Sequence, residues 1–159
     1  MKKANKKCGF YVNSLHLSMM ILPYVKNKIE REEKVIIISD ENLESNIKTI
    51  LNKLNLKEEV RNQIIKIGEN IIKEEKITKK INEYDEIIII GKEKYIDRLN
   101  KKVKGILEKE DISIVDFYEV MDFNNNIEKI LSSHERLVNT AGEKSIKEAF
   151  EGFEKKEII

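Results

Sequence analysis

Glu86-Ile-Ile-Ile-Ile-Gly91 is the stretch of sequence that decides the fold, because it places four consecutive isoleucines between a charged residue and a glycine. Two other runs have the same character, Lys34-Val-Ile-Ile-Ile-Ser39 and Asp111-Ile-Ser-Ile-Val-Asp116. A strand with one solvent-exposed face alternates apolar and polar residues, whereas a continuous β-branched run is typical of a strand that is covered on both faces. These runs therefore predict strands of a parallel sheet that lies between helices.

Two weaker segments extend the predicted sheet. Cys8-Gly-Phe-Tyr-Val12 precedes the first long run and is predicted to be the first strand. Gln63-Ile-Ile-Lys-Ile67 is a shorter candidate, interrupted by a lysine. The sequence thus predicts about five strands.

Apolar residues at helical spacing fill the intervals between the predicted strands. The first helix is predicted from about Ser14 to Glu30, with an inward face made of Leu15, Met19, Leu22, Val25 and Ile29. The same spacing predicts helices over 43–54 and 96–107, and a shorter one marked by Ile77, Ile81 and Tyr84. Each predicted strand is thus followed by a predicted helix.

Two more helices are predicted toward the end of the chain. One runs from Phe123 to Leu137, and a final one follows Gly142. Strands that alternate with helices predict an α/β fold: an open, mainly parallel, three-layer sheet of the Rossmann-like kind with helices on both faces. We expect one domain over 8–142 and a helical appendage over 143–159.

The composition of the chain predicts which kinds of partner it has and in which compartment it lies. Thirty basic and twenty-nine acidic residues leave a formal net charge of +1, which predicts no nucleic-acid partner. The one cysteine favours a reducing cytoplasm. The apolar runs are far shorter than the roughly 20 residues that span a bilayer, and no signal peptide is apparent. We therefore expect a cytoplasmic protein without a membrane contact.

Known catalytic and cofactor motifs are missing from the sequence. It contains neither GxGxxG nor GxxxxGK[ST], and its two histidines and one cysteine lack metal-ligand spacing. This pattern predicts no cofactor, no metal and no enzyme. A minor hypothesis pairs the thiol of Cys8 with the imidazole of His16. The alternative is that Cys8 is a small buried hydrophobe and His16 an exposed residue of the first helical turn.

Polar and aromatic side chains follow or end the predicted strands. Ligands of open parallel sheets bind beyond the carboxyl ends of the strands. The predicted ligand-binding set is Tyr11, Asn13, His16, Asp40, Asn42, Gly91, Lys92, Asp116 and Tyr118. Simpler interpretations stay open: Asp40 as a helix N-cap, Asp116 as a hydrogen-bonded strand end, and the tyrosines as core. His134 is expected on the late helix, buried, with a hydrogen-bonded ring.

Three segments carry a resemblance to a known family. The first comprises Cys8-Gly-Phe-Tyr-Val12, Ile21-Leu-Pro-Tyr-Val25 and the strand at Val35. The second is 43–56 followed by Ile64-Ile-Lys-Ile67. The third is Ile114-Val-Asp-Phe-Tyr-Glu-Val120 with the later residues Phe123, Ile127, Ile130, Leu131, His134, Leu137 and Val138. Together they resemble the MEDS sensory-domain family, a degenerate branch of the RecA-like fold.

The resemblance implies a sensory or regulatory domain that recognises small hydrocarbon derivatives. The chain departs from the family pattern where Lys6 or Lys7 stands in place of a frequent histidine, and where 30–34 lacks glycines. No kinase box or DNA-recognition helix is present, so a stand-alone domain of this kind signals by contacting another protein. The alternatives are an interaction module without a ligand, such as a homodimer or adaptor, and a small enzyme that uses strand-end carboxylates.

Overall fold

The computed structural model describes residues 6–39, 43–53, 55–120, 127–139 and 142–147. Within these residues, seven strands form one sheet in the spatial order β3-β2-β4-β5-β1-β6-β7. The strands are β1 (Lys6–Tyr11), β2 (Val35–Ser39), β3 (Ile71–Ile72), β4 (Glu86–Gly91), β5 (Ser113–Glu119), β6 (Arg136–Asn139) and β7 (Gly142–Ser145). Every neighbouring pair is parallel except β6 and β7, which are antiparallel.

The isoleucine run lies at the centre of this sheet, as its sequence predicts. Ile88 is opposite Ile37 of β2 on one side and Val115 of β5 on the other. All six residues of β4 are buried, because both faces of the strand are covered. The predicted α/β class with a mainly parallel three-layer sheet is confirmed, and the described sheet is larger than the five strands expected.

Helices cover the two faces of the sheet and form two separate cores. The helices are α1 (Ser14–Glu30), α2 (Leu43–Lys53), α3 (Glu58–Glu69), α4 (Glu93–Ile106) and α5 (Ile127–Ser132), with 3₁₀ turns at Glu74–Lys76 and Lys79–Glu83. α1 and α3 pack on the face that carries Ile37, Ile88 and Phe117. α4 and α5 pack on the face that carries Ile89 and Ile114. None of the described helices is both long enough and apolar enough to cross a membrane.

Three predicted elements are corrected. Gln63–Ile67 is part of the helix α3 and not a strand, and its apolar residues Ile64 and Ile67 are buried at helical spacing. The short helix before β4 is a pair of 3₁₀ turns. The late helix ends at Ser132, and Arg136–Asn139 is a strand. A run of apolar residues fits either a helix face or a strand until its neighbours are known.

The end of the chain also differs from the prediction. Gly142–Ser145 forms the edge strand β7 against β6, where a helix was expected after Gly142. The rest of the predicted C-terminal helix, including Phe150 and Phe153, lies outside the described residues, as does Phe123. The division into 8–142 and 143–159 stays a prediction.

The bounds of α1 match the prediction, and its buried face matches in part: Val25 is buried, and Leu22 and Ile29 are partly buried against the core, as predicted. Leu17, Met20, Ile21, Tyr24 and Val25 face the sheet. Leu15 and Met19 were predicted inward and are 61% and 56% exposed. Apolar residues occur on more than one side of this helix, so their spacing does not predict which side packs against the sheet.

Candidate functional site

The predicted residues at the start of α1 act on the helix itself. Asn13 is the N-cap, and its Oδ1 accepts a hydrogen bond from the backbone N–H of His16 at 2.8 Å. Nδ1 of His16 accepts one from the backbone N–H of Val12 at 3.1 Å. Both side chains thus satisfy backbone donors at a helix start, the usual role of a cap. Asp40 and Asn42 lie outside the described residues.

Gly91 and Lys92 connect β4 to α4. Gly91 has φ +156°, and a Cβ added there would lie 2.7 Å from the ring of Tyr95. The glycine is therefore required by the close approach of Tyr95 in the following turn. Lys92 is the N-cap position of α4.

Tyr11, Asp116 and Tyr118 are buried, and they do not share one face of the sheet. Tyr11 packs with α1, whereas Tyr118 packs on the α4 side against Phe10, with the ring centroids 5.9 Å apart. Burial, followed by nearby carboxylates led by Asp116, raises the pKa of the Tyr118 phenol. Asp116 lies in the middle of β5 and not at its end. The predicted wall of aromatic residues is therefore divided between two cores.

Asp116 is the centre of a buried polar network. Its Oδ2 is 2.7 Å from Nε2 of His134 and 3.4 Å from Nζ of Lys6, and its Oδ1 accepts a hydrogen bond from Asn100 at 2.9 Å. His134 is buried with a hydrogen-bonded ring, as predicted, although it lies between α5 and β6 and not on a helix. The network joins β1, α4, β5 and the end of α5.

The hydrogen bonds of His134 leave it no basic nitrogen for a neighbouring hydroxyl. Nδ1 is 2.5 Å from the carbonyl oxygen of Ile130, and Nε2 faces the carboxylate of Asp116. Ser133 Oγ is 3.1 Å from Nδ1 but donates its own hydrogen to the same carbonyl. A serine nucleophile needs a free ring nitrogen as its base. The Ser133, His134 and Asp116 side chains are therefore arranged as a structural network.

Cys8 and His16 lie on opposite sides of the sheet. The thiol is buried in the core beneath α4, whereas His16 belongs to α1, which covers the other face. Burial, then the negative charge of Asp116, raises the pKa of the Cys8 thiol to about 12. The hypothesis of a thiol–imidazole pair is wrong, and Cys8 is the buried small hydrophobe of the alternative.

The strongest unexplained feature lies at the opposite edge of the sheet, where the parallel strands begin. Lys7 of β1 and Glu86 of β4 are 3% and 2% exposed. Glu86 Oε1 accepts a hydrogen bond from the hydroxyl of Tyr24 at 2.5 Å and lies 3.4 Å from Nζ of Lys7. Lys7 Nζ also donates to the Tyr24 hydroxyl at 3.0 Å. Two opposite charges and a phenol thus share one buried site.

Two more charged residues complete this buried ion cluster, which we define as Lys7, Tyr24, Lys28, Glu86 and Glu143. Glu143 Oε2 of β7 lies 3.0 Å from Lys7 Nζ, and Lys28 Nζ lies 4.0 Å from Glu86 Oε2. Burial, then the carboxylate of Glu86, raises the pKa of Tyr24, so the phenol stays a hydrogen-bond donor. Although burial acts to raise it, contact with Lys7 and the charges of Arg136 and Lys28 hold the pKa of Glu143 below its usual value.

An open cavity of about 300 Å³ borders the cluster between α1 and the β6–β7 hairpin. We call it the α1–hairpin cavity. Its wall combines amides, charges and a phenol with two apolar side chains, and consists of Met20, Pro23, Tyr24, Asn27, Lys28, Arg31, Asn139, Gly142 and Glu143. This volume is at the lower end of the range of small-molecule sites, roughly 300–1,000 Å³.

A second cavity of about 300 Å³ borders the cluster from the other side. Its wall includes Lys7, Lys28 and Glu86, together with Glu33, Asp85, Asp111 and Ser113. Oε2 of Glu86 is buried and has no hydrogen-bond partner among the described residues. A buried carboxylate oxygen without a hydrogen bond is costly.

No member of the buried ion cluster was predicted as a site residue from the sequence. Lys7 was noted only as a departure from the family pattern, and Glu86 only as the charged residue before the isoleucine run. Lys7 and Glu86 are 79 residues apart and belong to strands that are separated by β5. The sequence did show that Glu86 is a charged residue at the start of an otherwise apolar strand. It did not show that Lys7 would be its partner.

Comparisons and metal chemistry add no assignment to this site. No protein-family model matches the chain, and no curated protein matches it. In the described part of the chain, no three histidine, cysteine, aspartate or glutamate residues are grouped so that they hold a metal ion.

Proposed function

We propose that this protein is a regulatory domain that binds a small polar molecule in the α1–hairpin cavity and carries out no covalent chemistry. The observation that carries the proposal is the buried ion cluster, of which Tyr24, Lys28 and Glu143 lie in the wall of that cavity and contact Lys7 and Glu86 behind it. Removing charges from water costs several kcal/mol per ion, and an apolar replacement of similar volume is often as stable. A buried pair of charges beside an open cavity is therefore better explained by ligand recognition than by stability.

The position of the cavity favours a signalling role. Its two walls are α1, which packs on the sheet, and the hairpin at the sheet edge, which is held by four β6–β7 residue pairs and by the contact of Glu143 with Lys7. A ligand between these walls favours the conformation in which the hairpin and α1 are close together. The hairpin is then the element through which a signalling partner protein would detect the bound state.

The likeness to the MEDS sensory domains supports the same class of function, and membership of that family is part of this proposal. The proposed site differs from the one expected at the carboxyl ends of the strands. The reason is that the buried ion cluster, which lies where β1 and β4 begin, borders the α1–hairpin cavity.

A second candidate function is a protein–protein interaction module, with or without a second copy of the chain. Leu15 and Met19 favour it, because they are 61% and 56% exposed at helical spacing on the first turns of α1, and Val12, just before the helix, is 56% exposed. Exposed apolar side chains that form a contiguous patch are typical of interaction sites.

A thermal-shift screen of small metabolites of every charge class tests the first candidate. A ligand that binds only the folded protein raises the melting temperature. We expect Asn27→Trp, which places an indole in the cavity wall, to abolish the shift. Glu30→Trp is the matched control, because Glu30 is also exposed on α1 but does not line the cavity.

The outcomes separate the two candidates. A shift that is lost in Asn27→Trp and kept in Glu30→Trp supports the cavity as the ligand site. A screen without any stabilising compound, or with shifts that persist in Asn27→Trp, refutes it. Concentration-dependent self-association that Met19→Asp abolishes would then favour the interaction module.

A further inference from the structure

We infer that the ligand of the α1–hairpin cavity is a small organic monocarboxylate whose carboxylate is bound by Arg31 and Asn27. This inference rests on the proposed function and adds the chemical class of the ligand. It is carried by the charges that line the cavity or contact its lining, and by two donor groups that have no partner there.

The charged residues that line the cavity or contact its lining include one more cation than carboxylate. The carboxylates are Glu33, Glu86 and Glu143, and the cations are Lys7, Lys28, Arg31 and Arg136. Glu143 contacts Lys7 at 3.0 Å and Arg136 at 3.1 Å. Lys28 contacts Glu33 at 3.4 Å and Glu86 at 4.0 Å. The pairs therefore account for every one of these charges except that of Arg31.

Arg31 and Asn27 present unused donors on the same side of α1. They are four residues apart and thus lie one helical turn from each other. Within the described part of the chain, the guanidinium of Arg31 has no hydrogen bond or ion pair, and the side-chain amide of Asn27 has no hydrogen bond. Glu32, the next carboxylate along the chain, does not line the cavity.

The charge around these donors fits a carboxylate better than a phosphate dianion. A guanidinium binds either group through two parallel N–H···O bonds, so the number of negative charges decides between them. Arg31 is the C-cap of α1, and the carbonyl end of a helix carries partial negative charge, which opposes a dianion more strongly than a monoanion. Met20 and Pro23 provide an apolar part of the wall for the rest of the ligand. A single negative charge on a small organic group matches both features.

The test uses three probes of one size: phenylacetate, phenylacetamide and phenethylamine, with inorganic phosphate as the dianion. Binding is measured by NMR titration of the backbone and arginine N–H signals of the full chain. We expect phenylacetate to bind at least about tenfold more tightly than phenylacetamide, a difference of about 1.4 kcal/mol. Phenethylamine and phosphate should bind more weakly than phenylacetate.

Variants of exposed residues on α1 identify the group responsible. Arg31→Gln should remove the preference for phenylacetate over phenylacetamide, and Arg31→Lys should keep part of it because the charge remains while the fork of N–H donors is lost. Lys26→Gln is the control, since it removes one positive charge from the same helix at a side chain that is 43% exposed and outside the cavity wall. It should keep the preference.

Three results overturn the carboxylate assignment. They are equal binding of phenylacetate and phenylacetamide, tighter binding of phenethylamine or phosphate, and an unchanged preference in Arg31→Gln. If a neutral or cationic probe binds and Asn27→Trp abolishes its binding, the cavity is a ligand site and the ligand class is wrong. If no probe binds at concentrations up to about 10 mM, the carboxylate assignment is wrong and the wider screen decides the proposed function.

Discussion

Replacing Lys7 and Glu86 together should destabilise the protein less than the two single replacements suggest. Lys7→Met leaves the carboxylate of Glu86 with the Tyr24 hydroxyl at 2.5 Å and Lys28 at 4.0 Å. Glu86→Leu leaves the ammonium of Lys7 with Glu143 at 3.0 Å and the Tyr24 hydroxyl at 3.0 Å. Each single variant therefore keeps one buried charge that has lost one of its two oppositely charged partners.

The magnitudes follow from burial. Breaking a buried ion pair by removing one partner costs about 3–5 kcal/mol, and the remaining contacts place each single variant near the lower value of about 3 kcal/mol. The double variant removes both charges. It leaves Glu143 with Arg136 at 3.1 Å and the Tyr24 hydroxyl without its carboxylate acceptor, at a cost of about 1–3 kcal/mol. If the single costs added, the double variant would lose about 6 kcal/mol. We expect a loss of about 3 kcal/mol, which is a coupling of about 3 kcal/mol between the two residues.

Urea unfolding at neutral pH, followed by far-ultraviolet circular dichroism, measures these free energies, since the chain has no tryptophan to report by fluorescence. Tyr24→Phe in the double variant is the control and should recover stability, because it removes the unsatisfied hydroxyl. Single-variant losses that add to within about 0.5 kcal/mol in the double variant would refute the description of Lys7 and Glu86 as a coupled buried pair.

Other predictions concern the sheet, the cluster and the thiol. Gly9→Ala should lower the free energy of unfolding by about 1–3 kcal/mol, because an added Cβ would lie 2.6 Å from Cε1 of Phe117; an unchanged urea midpoint would contradict this close approach. The pKa of Glu143 is lowered in the folded protein from its usual 4.5, so its ion pairs contribute stability above that pH and lose it as the pH falls through the lower folded value. The difference in stability between the wild type and Glu143→Gln should therefore shrink on acidification below pH 4.5, and a difference that stays constant in urea titrations would refute the assignment. Because burial raises the pKa of the Cys8 thiol to about 12, the native protein should react with iodoacetamide at pH 8 no faster than it unfolds, and rapid labelling without denaturant would show that the thiol is accessible.

The sequence by itself determined the class of fold. The isoleucine run at 87–90 predicts a central strand without reference to any partner, because a strand that is apolar at every position must be covered on both faces. The bounds of α1 and β4 were also predicted correctly, since both segments are apolar runs that end at polar, charged or glycine residues. Features of this kind can be predicted from the sequence because they depend on residues that are neighbours along the chain.

Only the tertiary structure decided which residues meet. Leu15 and Met19 were assigned to the wrong side of α1, and the strand β6 was assigned to a helix, because an apolar residue does not specify the surface that will cover it. Lys7 and Glu86 become partners through the order of three strands, and Asp116 becomes the centre of a network through the positions of α4 and the end of α5. A charge in a sequence does not reveal its burial or its partner, since both depend on strand order and register, which form only when distant segments pack together.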